Sequence, residues 1–358
     1  MVKAISLFSG CGGMDLGFVQ AGFEIAYAND IDRDAIATYK LNFGTEIDSR
    51  SISSISPDSL PDADGIIGGP PCQSWSLAGA LRGEDDPRGK LFYDYARMLE
   101  AKMPKFFVAE NVPGIVSSRN IAAFRRILSV LSRPGYDVQW KLLDSRDYCV
   151  AQERKRVIIV GMRKGLGVHY RFPEKRCTKE GASIDGVATR KWLTLKDAIG
   201  DLPEPAPAMP GNKPNKSLEI PNHEYMVGAF SPIYMSRNRK RRWDQPSYTI
   251  QAGGRHAPLH PDSCDMCKVG EDRFEFTGPN YRRLSVREAA RVQGFPDSFI
   301  FRYRNVADGY KVIGNAVPPP LARAIAESIK DTLAVEGLPE NGKGAENMAK
   351  GHFSKSTI

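Results

Sequence analysis

One cysteine stands on a stretch that offers it little cover, GGPPCQSW at residues 68–75. Cys72 follows two glycines and two prolines and comes directly after an apolar run. A buried structural cysteine behaves as a small hydrophobic residue among aliphatic neighbours, which this stretch lacks. The prolines restrict the backbone and so fix the direction of the thiol. The stretch therefore favours a nucleophile, whose thiolate needs a nearby cation or helix N-terminus.

Further polar residues stand at the ends of predicted strands. Glu110, in AENV, follows an apolar run, and the carboxyl ends of strands are where α/β sheets bind ligands. In QERKRVIIVG, the alternating residues Gln152, Arg154 and Arg156 share one face of an extended chain. The glutamate can be a site acid, and the arginines can hold a base carbonyl or a phosphate. Solvated charges at strand ends are the alternative for both groups.

A glycine-rich turn near the N-terminus predicts a nucleoside ligand. In SLFSGCGGMDLGF, the residues Gly10, Gly12 and Gly13 lead from a strand to a helix and permit close approach of a ligand. Asp30 ends the next strand, where a carboxylate commonly binds ribose hydroxyls. The spacing differs from G-x-G-x-x-G and favours S-adenosylmethionine over a dinucleotide. A tight turn without a ligand is the alternative.

These residues need a sheet to position them, and the first 163 residues alternate between strand and helix patterns. Apolar runs predict strands at 4–8, 24–29, 64–69, 105–111, 138–144 and 156–162. Amphipathic stretches between them have helical spacing, so the pattern predicts βαβ units and a parallel sheet. Helical order is also predicted over 281–299 and over 319–333, where Leu321, Ile325 and Ile329 form one apolar stripe.

Composition indicates a folded chain with a basic surface. The hydrophobic content of 41% is typical of soluble globular proteins, and no run of 18 apolar residues or signal-peptide pattern occurs, so we expect an intracellular protein. The net charge of +8 favours a polyanionic partner. The six cysteines are too scattered for a disulfide framework, so we expect free thiols or metal ligands. Residues 337–358 are rich in Gly, Lys, Glu and Ser, a composition that predicts a disordered tail.

Taken in order, these stretches resemble the motifs of the DNA (cytosine-5)-methyltransferase family. The glycine-rich turn resembles its first motif, PCQ the fourth, ENV the sixth, Q-x-R-x-R the eighth, RRLSVREAARVQGFPDSF the ninth and GNAVPPPLA the tenth. The resemblance is greatest to the bacterial type II modification enzymes that methylate within GGCC. It implies an α/β fold: a Rossmann-like S-adenosylmethionine-dependent domain, 1–173 plus 305–335, with a mostly irregular or β target-recognition domain, 174–304, inserted before the C-terminal helix.

The resemblance also implies a covalent mechanism. Cys72 adds to C6 of a cytosine flipped out of the duplex, Glu110 assists at N3, and Arg154 and Arg156 hold the base and its phosphate. The residues implied to contact the cofactor are Phe8, Gly10, Gly12, Gly13, Asp30, Ile31, Pro70 and Asn315. The family usually has an aspartate where this chain has Ser51, and after a register shift Asp48 could replace it.

The inserted domain is implied to read double-stranded DNA. The stretch SRNRKRRW, 236–243, has five basic residues in eight positions, and arginine pairs bidentately with guanine O6 and N7. Arg237 and Arg239 are expected at base edges, and their basic neighbours at phosphates. The residues implied to contact DNA are Gln73, Arg82, Arg237, Arg239, Lys240, Arg241 and Arg255. A solvated basic face is the alternative from the residues alone.

Three rival interpretations stay open. One is a tRNA cytosine-5 methyltransferase built on the same motifs, and another is a catalytically silent DNA-binding module. The third is a structural zinc site formed by His256, His260, Cys264 and Cys267, although this C-x-x-C lacks a second pair and we expect no metal. We also expect a monomer in the cytoplasm, associated with the nucleoid, and a restriction endonuclease that shares the recognition sequence without binding the enzyme.

Overall fold

The computed structural model of the chain describes residues 1–71, 87–183 and 186–334. Cys72, Gln73, Arg82 and the predicted tail therefore lie outside the described residues. Within the described ranges, no helix combines the length and apolar character that crossing a membrane requires.

A six-stranded sheet forms the centre of the molecule. Its strands are β1 (Lys3–Leu7), β2 (Glu24–Asn29), β3 (Gly65–Gly68), β4 (Phe106–Asn111), β5 (Tyr136–Asp144) and β6 (Lys155–Arg163). They lie in the order β2-β1-β3-β4-β6-β5. Every strand predicted from an apolar run over the first 163 residues is present, because each run is long enough to cross a buried sheet.

The prediction of a wholly parallel sheet was wrong for β6, the one strand of the six that runs in the opposite direction. The pairs among β1 to β4 are parallel, whereas β6 runs antiparallel to both β4 and β5. The connection from β5 to β6 contains only a short 3₁₀ turn, Ser145–Tyr148, and no crossover helix. Adjacent strands joined without a crossover pair in antiparallel fashion.

Helices cover both faces of the sheet. They are α1 (Gly13–Gln20), α2 (Arg33–Phe43), α3 (Pro87–Lys102), α4 (Ile121–Ser132) and, near the C-terminus, α8 (Pro319–Ala334). Phe18 of α1 and Leu321 of α8 share one hydrophobic core with Phe106. Leu99 of α3 and Ile127 of α4 share the core on the other face. The predicted apolar stripe of the last helix is buried on this sheet.

Residues 174–304, called the second region below, hold short elements. These are β7 (Cys177–Thr178), β8 (Arg190–Lys191), α5 (Leu195–Ile199), β9 (Ala206–Pro207), β10 (Glu224–Tyr225), β11 (Met266–Gly270), β12 (Arg273–Phe276) and α6 (Val286–Val292); α7 (Val306–Asn315) follows. The helical order predicted over 281–299 is limited to α6, since Ser285 caps its start and Gly294, with φ +89°, follows its end. Leu284 packs in one core with Cys11 and Ile313. The domain boundaries stay a prediction.

The expectation that the cysteines are free thiols or metal ligands was wrong for two of them, because a disulfide joins Cys149 to Cys177. The amide of Arg176 donates to the carbonyl of Asp147 at 2.8 Å, and this bond holds the two segments side by side. The pairing spans 28 residues and has no local signature in the sequence. Of the described cysteines, Cys11, Cys264 and Cys267 are free.

The contact between α1 and α8 depends on Gly17. A Cβ at this position would lie 2.6 Å from the carbonyl oxygen of Pro319 and 2.6 Å from the amide nitrogen of Arg323. We expect Gly17→Ala to lower the free energy of unfolding by about 1–3 kcal/mol in urea denaturation, because the helix backbones would have to separate. Gly114→Ala is the matched control, since its Cβ would meet nothing within 4 Å. Equal stability of both variants would contradict this packing.

Candidate active site

A cavity of about 610 Å³ lies at the carboxyl ends of β1 to β4. One wall follows the strands and includes Phe8, Gly10, Asp30, Ile31, Ser51, Gly69, Pro70, Glu110 and Asn111. The opposite wall consists of Thr249 to Ala252 and of Lys311, Val312, Gly314 and Asn315 in α7. The sheet edge and the second region therefore enclose one space, at the place where α/β sheets bind ligands.

Asp30 fastens the glycine-rich turn to the end of β2. Its two carboxylate oxygens accept hydrogen bonds from the amides of Gly10 and Asp32, each at 2.8 Å. Burial raises the pKa of Asp30, and these amide bonds oppose the rise. A carboxylate offers about four lone-pair sites, so Asp30 keeps the capacity to accept from hydroxyl groups of a ligand.

Gly12 and Gly13 differ from Gly10, because they do not line the cavity. A Cβ on Gly12 would lie 2.3 Å from the ring of Phe43, and one on Gly13 would lie 2.4 Å from the carbonyl oxygen of Val317. A Cβ on Gly10 would meet nothing within 4 Å. Gly10 therefore leaves room for a ligand, and Gly12 and Gly13 permit close packing of the turn; contact of these two with the cofactor stays a prediction.

Glu110 and Arg156 form an ion pair that lines the cavity. Nε of Arg156 lies 2.7 Å from Oε1 of Glu110, and the two side chains are only 10% and 12% exposed. The antiparallel register of β4 and β6, in which Glu110 faces Ile158, brings them together. The GGPP turn lies beside this pair, since a Cβ on Gly69 would be 3.2 Å from Oε2 of Glu110.

The turn that precedes Cys72 in the sequence is itself held in place. The side-chain amide of Asn111 donates to the carbonyl oxygen of Pro70 at 3.1 Å, and its carbonyl oxygen accepts from the amide of Val112 at 2.9 Å. Asn111 is the middle residue of the ENV stretch. Because Asn111 is the neighbour of Glu110 on β4, this bond fixes the position of the prolines relative to Glu110.

Arg154 lies behind the cavity wall, and its contact with the base stays a prediction. Its side chain is buried, does not line the cavity, and donates to the carbonyl oxygens of Ile250 at 2.9 Å, Gly314 at 2.7 Å and Ala316 at 3.0 Å. The first two acceptors belong to cavity-lining residues. Arg154 therefore supports the wall. Alternation along the sequence cannot reveal this role, because it does not show which partners a buried guanidinium meets.

Ser51 lines the cavity, whereas Asp48 does not. Asp48 binds the guanidinium of Arg50 at 2.6 Å and accepts from the hydroxyl of Tyr27 at 2.7 Å. The hydrogen bonds from Arg50, partly offset by burial, lower the pKa of Asp48 to about 2. The carboxylate of Asp48 is therefore engaged outside the cavity, and the residue that contacts adenine stays a prediction.

Lys311 is a cavity residue that the sequence reasoning missed. Its ammonium group lies 2.5 Å from Oδ2 of Asp32, whose Oδ1 caps α2 by accepting from the amides of Asp34 and Ala35. Burial acts to raise the pKa of Asp32, but the bond to Lys311 and the capping amides outweigh it, and the pKa is lowered. No motif or periodicity in the sequence indicated this lysine, because α7 itself was not predicted.

Most of the basic stretch 236–243 is already engaged. The pairs are Arg239 with the carbonyl of Tyr234, Lys240 with Asp265, Arg241 with Glu153, and Arg242 with Asp244. Arg237 is exposed and has no hydrogen-bond or ion-pair partner within 1–71, 87–183 and 186–334. Arg255 is exposed and makes one bond, of 3.3 Å, to the carbonyl of Phe230.

The residues considered for zinc do not converge. In the part of the chain that the structure describes, no group of three or more His, Cys, Asp or Glu side chains could hold a metal ion. The thiol of Cys264 donates to the carbonyl of Gly278, and that of Cys267 to the carbonyl of Glu275. Nε2 of His256 is hydrogen-bonded to Ser231.

Comparison with known proteins agrees with this arrangement. The model of the C-5 cytosine-specific DNA methylase family matches residues 2–331. The chain belongs to this family. The methylase is 53% identical over 332 residues to the type II methyltransferase M.MthTI of Methanothermobacter thermautotrophicus, an alignment that covers 92% of this chain and 97% of that protein. It is 50% identical over 338 residues to the type II methyltransferase M.NgoPII of Neisseria gonorrhoeae, with 93% and 96% covered.

A solved structure supports the fold. The methyltransferase EhMeth of Entamoeba histolytica superimposes with a TM-score of 0.64 at 18% identity, covering 93% of the methylase and 99% of that chain. The predicted α/β class and the assignment as a DNA (cytosine-5)-methyltransferase are both confirmed.

Asp15 of α1 lies buried beneath the glycine-rich turn of the methylase. It accepts from the hydroxyls of Ser6 at 2.7 Å and Tyr39 at 2.8 Å, and burial, which these bonds oppose, raises its pKa to about 6. Because this pKa is higher in the folded than in the unfolded state, the contribution to stability is complete below about pH 4 and is lost as the pH rises through about 6.

Asp15→Asn should therefore flatten the pH dependence of stability. Between about pH 5 and pH 8, we expect the wild type to lose about 1.4 kcal/mol that the variant does not lose, as measured by urea unfolding at each pH. Asp58→Asn, a change at an exposed aspartate, should leave the wild-type dependence intact. The same slope in Asp15→Asn and the wild type would contradict a pKa near 6 for Asp15 in the folded enzyme.

Proposed function

We propose that this methylase transfers a methyl group from S-adenosylmethionine to C5 of a cytosine in double-stranded DNA, as the modification enzyme of a type II restriction-modification system. The observation that carries the proposal is the buried Glu110–Arg156 pair in the same cavity as Asp30. The relatives named as type II methyltransferases support the biological setting.

The cavity suits S-adenosylmethionine in size and polarity. Its volume of about 610 Å³ is typical of small-molecule sites. Asp30 would accept from the ribose hydroxyls, Ile31, which is 67% exposed, would cover the adenine, and Gly10 leaves room beside the turn. Pro70 and Asn315 would complete the contacts. The cofactor, when bound, supplies an electrophilic methyl group.

Glu110 would assist the covalent activation of cytosine. The thiolate of Cys72 forms a bond to C6, while a proton from Glu110 relieves the negative charge that develops at N3. The nucleophilic C5 so formed would take the methyl group that the bound cofactor supplies, with S-adenosylhomocysteine as the leaving group. Loss of the C5 proton to water and return of the N3 proton to Glu110 restore the aromatic ring as the thiolate of Cys72 leaves C6. C6 cannot be reached inside a duplex, so the base must first be flipped out.

Arg156 would act at the same point. Its guanidinium holds Glu110 in place through Nε, and one of its terminal nitrogens donates to the carbonyl of Lys155 at 2.7 Å. The remaining donors of the planar fork would bind the extruded base or its phosphate. Arg154 would act indirectly, through the wall that it supports.

We propose GGCC, or a related palindrome that contains CC, as the recognition sequence. Arg237 and Arg255 are exposed, so their guanidinium groups would reach guanine edges, that of Arg255 after it releases the carbonyl of Phe230. Arg239, Lys240 and Arg241 would exchange their present partners for DNA or hold the segment that binds it, and Gln73 and Arg82 would complete the contacts. One active site that acts on one strand at a time would suit a monomer. The enzyme would act in the cytoplasm, on the nucleoid DNA. A separate restriction endonuclease would share the recognition sequence.

Glu110→Gln tests the proposed chemistry. We expect kcat for methyl transfer to duplex DNA to fall about 10²- to 10⁴-fold, because the amide cannot supply the proton, with cofactor affinity little changed. The measurement is incorporation of labelled methyl groups, with Glu100→Gln, a change at an exposed glutamate of α3, as the control. Undiminished kcat in Glu110→Gln would contradict the role of Glu110.

Bisulfite sequencing of plasmid methylated in vitro identifies the recognition sequence. We expect 5-methylcytosine at one position of every GGCC and none elsewhere. Methylation of a different palindrome would correct the sequence alone, whereas a protein that methylates RNA and not DNA would contradict the proposed substrate.

A further inference from the structure

We infer that the side-chain amides of Gln152 and Gln293, called the amide pair below, are positioning elements that couple the binding of DNA to the binding of S-adenosylmethionine. The inference rests on the proposed function, because it assigns these two ligands to the two walls of the cavity.

The amide pair is completely buried. Both side chains are 0% exposed, and Nε2 of Gln152 donates to Oε1 of Gln293. Oε1 of Gln152 accepts from the amide of Ile250 at 3.0 Å. Nε2 of Gln293 donates to the carbonyl oxygens of Ile313 at 3.0 Å and Ala316 at 2.7 Å. The side-chain polar atoms of both glutamines are therefore hydrogen-bonded to backbone groups and to each other.

These backbone groups belong to the two parts of one wall. Ile250 lies in the segment Thr249 to Ala252, which follows the basic stretch of the second region, and residues 313–316 form the end of α7 and carry Asn315. The two parts touch directly, since a Cβ on Gly314 would lie 2.4 Å from the carbonyl carbon of Gln251. The amide pair thus joins the segment that follows the basic stretch in the chain to the segment assigned to the cofactor.

The segment around Gln152 gives this junction a rigid base. The amide of Ser247 donates to the carbonyl of Ala151, and the amide of Glu153 to the carbonyl of Ser247, each at 2.8 Å. The peptide of Ile250 is then held from both sides, because Arg154 binds its carbonyl and Gln152 its amide. In a buried network, displacing one partner leaves the others unpaired, which is costly.

These hydrogen bonds couple the two parts of the wall. DNA that fixes residues 249–252 in this arrangement also fixes residues 313–316. Equally, a cofactor that fixes residues 313–316 also fixes residues 249–252. Thermodynamic linkage requires the two effects on affinity to be equal. The polar atoms of the amide pair have hydrogen-bond partners only when residues 249–252 and 313–316 are both in this arrangement. The two segments are therefore expected to move together and not independently.

The experiment measures the affinity of S-adenosylhomocysteine, which cannot react, by calorimetry with and without a duplex that contains the mapped recognition sequence. We expect the duplex to tighten binding at least about fivefold in the wild type. In Gln152→Leu and in Gln293→Leu the increase in affinity caused by the duplex should fall below about twofold, since leucine cannot form the hydrogen bonds that join residues 249–252 to residues 313–316. Gln139→Leu, a change on β5 outside the amide pair, should keep the wild-type factor.

A second variant keeps the test valid should a leucine variant not fold. Gln152→Glu keeps the shape and the acceptor for the amide of Ile250 but has no donor for Gln293, so it should lose the coupling while its far-UV circular dichroism matches that of the wild type. A wild type without coupling, or a folded Gln152→Glu that retains it, would overturn the inference. Failure of S-adenosylhomocysteine or of the duplex to bind at all would count against the proposed function instead.

Discussion

The ion pair between Glu110 and Arg156 depends on the direction of one strand. Two charges that are almost removed from water stabilise each other only while both are in place, because either one alone would be a buried, unpaired charge. In a parallel sheet the start of β6 would lie at the edge opposite the end of β4. The antiparallel direction of β6 brings its start, and with it Arg156, to the carboxyl end of β4, where Glu110 stands.

The same reversal places the residues that precede β6 beside the cavity. Gln152 and Arg154 lie just before the strand and bind the backbone amide and carbonyl of Ile250, so the second region is attached at the edge of the sheet where the cavity lies. One short segment thus provides a side chain that lines the cavity and two that support its wall. A substitution in this segment is therefore expected to affect chemistry and recognition together.

The sequence predicted the strands well because each is a run of buried apolar residues. It did not predict the direction of β6, since hydrophobic periodicity carries no information about which way a strand runs. It placed Glu110 and Asp30 correctly at strand ends, because that position follows from local order alone. It did not predict the backbone partners of Arg154 and missed Lys311, because the partners of both side chains come from parts of the chain more than 90 residues away. The disulfide between Cys149 and Cys177 is a contact of the same kind, set by tertiary packing.

The covalent step at Cys72 is the central claim, and trapping it is the most direct test. A duplex carrying 5-fluorocytosine at the methylated position is incubated with the enzyme and S-adenosylmethionine, and the products are separated under denaturing conditions and mapped by mass spectrometry. Fluorine cannot leave C5 as a proton does, so the account predicts a stable protein–DNA adduct through Cys72 that forms only with the cofactor present and is absent in Cys72→Ala. No adduct with the wild-type enzyme, or an adduct that persists in Cys72→Ala, would contradict it.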